Sequence, residues 1–415
     1  MSDFIVNGMN RLCGEVRISG GKNAVLPLLA ATLLTRDEIV IRNCPNISDV
    51  SDMTDILSAL GADISREGDA IVVRAEDIDT TCMPEELSHK IRSSIFLLGS
   101  MLARKKEACF FPPGGCEIGR RPIDQHMHAL RVMGAEAVWR DEKLFCNTKG
   151  LRGGVIDLRF PSVGATENAL LAAVLAKGVT VINGAAREPE ISCLAHMLRS
   201  MGAKIQGDGT GCIVIEGVQK MHGTEFFCIP DRIEACTFLA AAAATRGCIT
   251  VTGTRPESYG CVTDILERAG ASVRVYGDAA GIRMDQRASA FTLSTAPYPG
   301  FPTDMQAQMC ALACTAKGTS HITETVFENR LRHASELKKT GACIKKEENS
   351  LYITGEERLA PARFSATDLR SGAALVILAL FCDGQSSVSG TGFIDRGYEN
   401  FENKLKALGA DIKRV

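Results

Sequence analysis

Three kinds of side chain in this 415-residue sequence stand where they could do chemistry: one thiol, one carboxylate and a recurring set of cations. The thiol is Cys116, in Pro112-Pro113-Gly114-Gly115-Cys116-Glu117-Ile118-Gly119-Arg120-Arg121-Pro122-Ile123-Asp124. Glycines before it permit close backbone approach to a ligand, and two guanidinium groups precede a helix-opening Pro-x-Asp. Nearby cations favour the charged form, so the stretch predicts a cysteine partly ionised near neutral pH. The competing reading is a small buried apolar residue in a turn, because the chain has 16 cysteines and most free cysteines are of that kind.

The cations recur at one place. Lys22-Asn23, Arg92-Ser93-Ser94, Ser162-Val163-Gly164, Asp231-Arg232, Thr303-Asp304 and Asp368-Leu369-Arg370 each stand just before a segment rich in Ala and Leu. A helix N-terminus already attracts anions, and an added cation there does nothing for the dipole. Lys or Arg at four such ends therefore points to a shared anionic ligand. A second set, Arg121, Arg187, Arg255, Arg330 and Arg396, opens the following helices. Those arginines read either as ligand groups or as partners of Glu188, Glu190, Glu328 and Asp395, the latter fitting Arg187 and Arg255 better. The carboxylate is Asp304, the exception by sign. It reads as a helix N-cap, a role Thr303 could also fill, or as a base that accepts a substrate hydroxyl's proton.

These residues are positioned by one unit written six times. Each copy has an amphipathic helix ending in a Gly-Ala step, Gly61-Ala62, Gly134-Ala135, Gly202-Ala203, Gly270-Ala271, Gly341-Ala342 and Gly409-Ala410, and an alternating strand follows. Subtracting successive glycine numbers gives 73, 68, 68, 71 and 68. The glycine is expected in the left-handed region at the helix C-terminus. The Ala- and Leu-rich helix before each unit is apolar nearly all round and is expected inside a domain. Chain length then predicts two α/β domains of three units each, 20–229 and 1–19 plus 230–415, with ligands in the cleft between them. The strands Phe4–Val6 and Val16–Ile18 are expected to complete the second domain's sheet.

Composition excludes several classes. A formal net charge of -2 gives no basic field for nucleic acid. No CxxC pair occurs among the cysteines, and His126-x-His128 is the one close histidine pair, so no metal is expected. The N-terminus shows no basic region followed by an apolar core, and the apolar runs are too short to span a bilayer. Free thiols in a reducing cytosol are the expected state.

With those residues in place, the chain resembles the UDP-N-acetylglucosamine 1-carboxyvinyltransferases, a branch of the EPSP synthase superfamily. The resemblance runs from Phe4 to the last Gly-Ala unit. It is carried by Ser19-Gly20-Gly21-Lys22-Asn23-Ala24, Pro113-Gly114-Gly115-Cys116, Arg121-Pro122-Ile123-Asp124, Ser162-Val163-Gly164-Ala165-Thr166, Ala186-Arg187-Glu188-Pro189-Glu190, Pro230-Asp231-Arg232-Ile233-Glu234, Phe301-Pro302-Thr303-Asp304-Met305-Gln306, Thr323-Glu324-Thr325-Val326-Phe327-Glu328-Asn329-Arg330, Ala366-Thr367-Asp368-Leu369-Arg370 and Asp395-Arg396-Gly397-Tyr398. The resemblance implies two inside-out, barrel-like α/β domains, each of three βαβαββ units. It implies transfer of the enolpyruvyl group of phosphoenolpyruvate to the 3′-hydroxyl of UDP-N-acetylglucosamine, with release of phosphate, opening peptidoglycan synthesis. No cofactor is implied.

By the same resemblance Cys116 is the general acid at the enolpyruvate methylene, on a lid-like loop, and the target of fosfomycin. Asp304 is the base. Lys22, Arg121 and Arg396 hold phosphate, and Arg330 and Arg370 hold the carboxylate or the developing charge. Asn23, Arg92, Arg121, Pro122, Ile123, Asp124, Gln125, Ser162, Val163, Gly164, Asp304 and Val326 match nucleotide-sugar positions. The chain departs from the family at Gln125 and Phe160, and Glu117 and Arg120 add charge beside the thiol. The sister enzyme acting on 3-phosphoshikimate, and a paralogue that binds nucleotide sugar without turnover, are the alternative readings.

Overall fold

The computed structural model describes residues 2–112, 114, 119 and 122–415. The described residues divide into two compact units, one comprising residues 20–112, 114 and 122–229, the other residues 2–19, 119 and 230–415. The architecture is mixed α/β, built from six separate open sheets of three or four strands, and no sheet closes into a barrel among the described residues.

The third sheet shows the repeating plan. Its strands run in the order Lys204–Gln206, Cys212–Glu216, Val179–Asn183, Val155–Asp157. Val155–Asp157 and Val179–Asn183 are parallel, so the connection between them must cross over, and the helix Val163–Ala173 makes that crossing. The helix Pro189–Ser200 then leads into the antiparallel hairpin. Ile182 lies level with Ile156 on one side and Ile213 on the other, which puts three apolar side chains on the core face.

Each unit keeps its crossover helices at its centre. In the second unit every residue of Arg232–Ala244, Gln306–Thr315 and Leu369–Phe381 is buried, as helices apolar on all sides must be. Lys22–Ala31, Leu97–Lys105 and Val163–Ala173 form the equivalent core of the first unit. All six repeat glycines have positive φ, between 88° and 108°. At five of them, Gly341 excepted, the following alanine donates its N–H back to a leucine carbonyl inside the helix, as Ala62 does to Leu57 at 3.0 Å. This closure turns the chain sharply from helix into strand.

Both N-terminal strands lie in sheets of the second unit. Asp3–Asn7 pairs with Gln385–Ser389 and Asp411–Arg414, and Cys13–Arg17, which overlaps the expected Val16–Ile18 and starts before it, lies parallel to Cys248–Thr252. The first unit closes on itself in a way the repeat did not predict, because Thr224–Phe227 returns to lie parallel to Ile39–Arg42. The second repeat falls short of the plan: its sheet has three strands, Glu107–Phe110, Lys143–Asn147 and Glu136–Arg140, and a lone bridge from Cys82 to Cys109 stands where a fourth strand would run. Among the described residues no helix is long and apolar enough to cross a membrane.

Two glycines test this packing. Gly134 has φ 89° and open space around a Cβ, whereas at helical Gly99 a Cβ would stand 2.4 Å from the Asn168 carbonyl oxygen. Gly134→Ala is expected to cost about 1–2 kcal/mol through backbone strain alone. Gly99→Ala is expected to cost at least as much, although helix propensity alone predicts a gain of about 1 kcal/mol. Urea unfolding followed by the fluorescence of Trp139, the single tryptophan and a first-unit residue, measures both. A raised midpoint for Gly99→Ala would refute the packing account.

Candidate active site

In the second unit the N-terminal ends of the three central helices meet. Tyr398, fully buried, touches all three: its hydroxyl lies 2.8 Å from Thr237 Oγ1 and accepts from Gln308 Nε2 at 3.2 Å, and its ring lies 5.5 Å from the Arg370 guanidinium. Asp231 caps the first helix, accepting from the N–H groups of Ile233 and Glu234 at 2.7 and 3.1 Å. Asp368 caps the third through a reciprocal bond with Ser371. The middle helix begins differently, with a 3₁₀ turn, Thr303–Met305, and no side-chain cap.

That difference releases Asp304 for another use. Its Oδ1 accepts from Arg330 Nη2 at 2.7 Å and its Oδ2 from Arg370 Nη2 at 2.9 Å. The N-cap reading of Asp304 is therefore overturned. Both guanidiniums are buried, while the carboxylate is about a quarter exposed. Burial alone would raise the Asp304 carboxyl, but the Arg370 and Arg330 charges outweigh it and hold it well below the usual carboxylate range. Burial likewise works against the charge on Arg370, and Asp304 overrides it, pushing the guanidinium up. One nitrogen of Arg370, Nη1, is buried and has no hydrogen-bond partner among the described residues. The cluster thus holds an ionised carboxylate between two buried guanidiniums.

Arg232 is buried with its guanidinium 5.7 Å from the Tyr298 ring, and Arg396 lies in the turn after the short helix Thr391–Ile394, half-buried. Val326 is on the surface at 36% exposure, with its N–H given to Glu324 Oε1 at 2.8 Å. Arg187 and Arg255 are both exposed, and Arg187 donates to the Gly209 carbonyl at 3.3 Å, a capping use of the guanidinium.

In the first unit, Lys22 is the first residue of its helix. Gly20 makes that placement possible, since a Cβ there would stand 1.8 Å from the Asn43 carbonyl oxygen, and Gly21 donates to Ile229 at 2.8 Å. Lys22 Nζ lies 2.7 Å from Asp49 Oδ2, and Asp49 is 2% exposed. The pair supplies the counter-charge that the helix end cannot. Asp49 was not singled out from the sequence, although a carboxylate inside the apolar stripe of Val50, Met53 and Leu57 was a readable signal. Asn23 follows Lys22, partly exposed, and Arg92 opens the 3₁₀ turn before Leu97–Lys105, where burial lowers its pKa.

Ser162 caps Val163–Ala173, its Oγ accepting from Ala165 N–H at 3.4 Å. A Cβ at Gly164 would stand 3.1 Å from His126 Cε1 and 3.3 Å from Phe96 Cε1, so the helix start fits closely against its neighbours. Gln125 is buried; its Oε1 accepts from Arg159 N–H at 2.8 Å and its Nε2 donates to the Phe160 carbonyl at 3.4 Å. Its amide therefore braces the approach to Ser162. Asp124 opens its helix and pairs with Arg159, while Pro122 is exposed and Ile123 partly so. At Gly114 the close backbone approach is made to the protein itself, a Cβ there falling 1.6 Å from the His89 carbonyl oxygen. Cys116, Glu117, Arg120 and Arg121 lie outside the described residues.

Comparison with known proteins sets these two groups of residues in context. A family model described as EPSP synthase (3-phosphoshikimate 1-carboxyvinyltransferase) matches residues 6–405. A UDP-N-acetylglucosamine 1-carboxyvinyltransferase 2 from Caldanaerobacter subterraneus subsp. tengcongensis is 46% identical over 416 residues, covering 100% of both chains. A UDP-N-acetylglucosamine 1-carboxyvinyltransferase from Cellvibrio japonicus is 45% identical, again over 100% of both. Among solved structures, the enolpyruvyl transferase NikO from Streptomyces tendae matches with a TM-score of 0.90 at 25% identity, covering 100% of this chain and 99% of its own. An EPSP synthase from Acinetobacter baumannii matches with a TM-score of 0.76 at 18% identity and full coverage of both chains, a likeness of fold.

The Asp304 cluster carries its own test. A carboxyl held below its unfolded pKa contributes stability in full above the unfolded value, about 3.9, and loses it as pH falls through the lower folded value. Asp304→Asn leaves two buried guanidiniums without their carboxylate, and should cost about 3 kcal/mol, the low end for an opened buried pair because the site is partly exposed. The variant should lose less stability between pH 5 and pH 2 than the wild type, and millimolar phosphate should restore part of the loss at pH 7. Urea midpoints across that pH range, with and without phosphate, check all three.

Proposed function

The chain belongs to the EPSP synthase family of carboxyvinyltransferases, and from that membership we propose that it moves the enolpyruvyl group of phosphoenolpyruvate onto the 3′-hydroxyl of UDP-N-acetylglucosamine, releasing phosphate. It is an enolpyruvyl transferase. The acceptor follows the relatives: those that are 45–47% identical over nearly the whole chain carry the nucleotide sugar in their names, whereas the EPSP synthases compared are 18% identical. The reaction opens peptidoglycan synthesis in the cytoplasm, and free cysteines throughout the described residues fit a reducing compartment.

The observation that carries the mechanism is Asp304 held between two buried guanidiniums. An aspartate so held is ionised but a weak base, because its lone pairs are committed to Arg330 and Arg370. The carboxylate of phosphoenolpyruvate competes for those arginines. As it takes their hydrogen bonds, Asp304 is freed and its proton affinity rises beside the sugar hydroxyl. The 3′-oxygen then attacks C2 of the enolpyruvate while Asp304 takes the hydroxyl proton and Cys116 delivers a proton to C3. Return of a C3 proton from the tetrahedral adduct to the Cys116 thiolate left by the first step, with breakage of the C2–O bond to phosphate, forms the enol ether and releases inorganic phosphate. Lys22, Arg121 and Arg396 hold the phosphate, and each unit takes the inside-out, barrel-like arrangement of the family. Asn23, Arg92, Pro122, Ile123, Asp124, Ser162, Val163, Gly164 and Val326 line the nucleotide sugar, and Gln125 supports that wall from behind.

Phosphate release from phosphoenolpyruvate in the presence of UDP-N-acetylglucosamine, against 3-phosphoshikimate as acceptor, tests the reading directly. Asp304→Ala should bind both substrates, and its turnover should fall about 10²- to 10⁴-fold. Cys116→Ser should lose most activity and all covalent labelling by fosfomycin, read by intact mass. Binding of the nucleotide sugar without any phosphate release would mark a non-catalytic paralogue, and labelled Cys116→Ser would remove the thiol from its role.

A further inference from the structure

The turn that bears Asp304 is held by a residue assigned no role so far. Thr303 Oγ1 accepts from Arg330 Nη1 at 3.2 Å and donates to Glu324 Oε2 at 2.7 Å. Asp304, the next residue, takes the other terminal nitrogen of the same guanidinium. One short turn therefore grips Arg330 with both of its side chains, and the grip is anchored on Glu324.

Glu324 is 2% exposed, and its second oxygen is committed as well. Oε1 accepts from Thr295 Oγ1 at 3.0 Å, Val326 N–H at 2.8 Å and Phe327 N–H at 3.1 Å. Those two amides start the loop that runs on to Arg330. One buried carboxylate thus fixes the base's turn with one oxygen and the guanidinium's loop with the other. Only a carboxylate accepts on both sides; the amide of a glutamine presents an NH₂ on one side, which can only donate. The Thr303 hydroxyl would then have to receive that donor while still receiving Arg330, leaving its own proton without the acceptor it has now.

We propose that Glu324 is a positioning residue for the transfer: through the Thr303 hydroxyl it holds the Arg330 guanidinium, and with it the Asp304 carboxylate, at the angle the sugar hydroxyl requires. Glu324 touches neither substrate and acts through Thr303. The proposal rests on the functional reading above, in which Asp304 is the base.

The test uses Thr303→Val, Thr303→Ser, Glu324→Gln and the double variant Thr303→Val/Glu324→Gln in the full-length chain. Thermal melts are recorded alongside steady-state phosphate release with both substrates. Thr303→Val and Glu324→Gln are each expected to lower kcat about 10- to 100-fold, the loss that a small misplacement of a reacting group produces, with KM for UDP-N-acetylglucosamine within about 3-fold of wild type. Thr303→Ser keeps the hydroxyl and should retain kcat within about 3-fold. Because the two residues act through one path, the double variant should lose no more than the worse single variant. Multiplying losses in the double variant, wild-type kcat in Thr303→Val, or losses that track only the fraction unfolded would each overturn the proposal. If the wild-type chain releases no phosphate, the functional reading fails and takes this proposal with it. Wild-type turnover with independent variants sinks the proposal alone.

Discussion

A helix buried at its start carries N–H groups and partial positive charge that must meet a partner, and the rest of the site depends on how this chain meets that requirement. In the second unit three such starts converge around Tyr398. Two of them are satisfied by their own aspartates, Asp231 and Asp368, each of which accepts two backbone amides on its Oδ1. The third opens through a 3₁₀ turn, and its aspartate is turned onto arginines. The start of the middle helix therefore carries a carboxylate held by guanidiniums and, among the described residues, no side-chain cap. Removing Asp231 or Asp368 would disturb a helix; removing Asp304 disturbs the charge balance of the cluster.

The cations follow from the same constraint. A lysine or arginine at a helix start is electrostatically misplaced unless something negative is near. For Lys22 that is buried Asp49, and for Arg370 it is Asp304. Both of these cations thus carry a local counter-charge in addition to any ligand they meet. An incoming anion gains less than it would from a bare cation, because it must displace a partner already in place. What it gains instead is geometry, since guanidiniums fixed by neighbours need little reorganisation when charge develops.

Local features of this organisation were legible in the sequence. The Gly-Ala steps announced six left-handed helix ends because only glycine adopts that conformation cheaply, and all six have positive φ. The Ala- and Leu-rich runs announced buried helices because no face of them is polar. The register of Lys22, Arg92, Ser162, Arg232, Asp304 and Arg370 placed each at the start of a buried helix, and of these Asp304 and Arg370 meet. Features that depend on partners distant in sequence were not legible. Thr224–Phe227 pairs with Ile39–Arg42 across most of the first unit, Asp49 meets Lys22 from another helix, and Tyr398 reaches Thr237 and Gln308 from the end of the chain. The choice between N-cap and arginine partner for Asp304 turned on a 3₁₀ turn whose sequence, Thr303-Asp304-Met305, allows either. Gln125 was matched to a nucleotide-sugar position by resemblance alone, and its backbone partners at Arg159 and Phe160 were not legible.

An aspartate with a depressed pKa looks at first like a poor candidate for a base, and the resolution lies in what depresses it. Burial acts to raise the Asp304 carboxyl, and Arg370 and Arg330 hold it down. The two influences are separable, because a second anion can draw off the arginines and leave the burial in place. A carboxylate substrate that takes hydrogen bonds from Arg330 and Arg370 removes the stabilisation of the ionised aspartate while excluding water from it, and both changes raise its proton affinity. A single exchange of hydrogen-bond partners would then bind one substrate and prepare the base for the other.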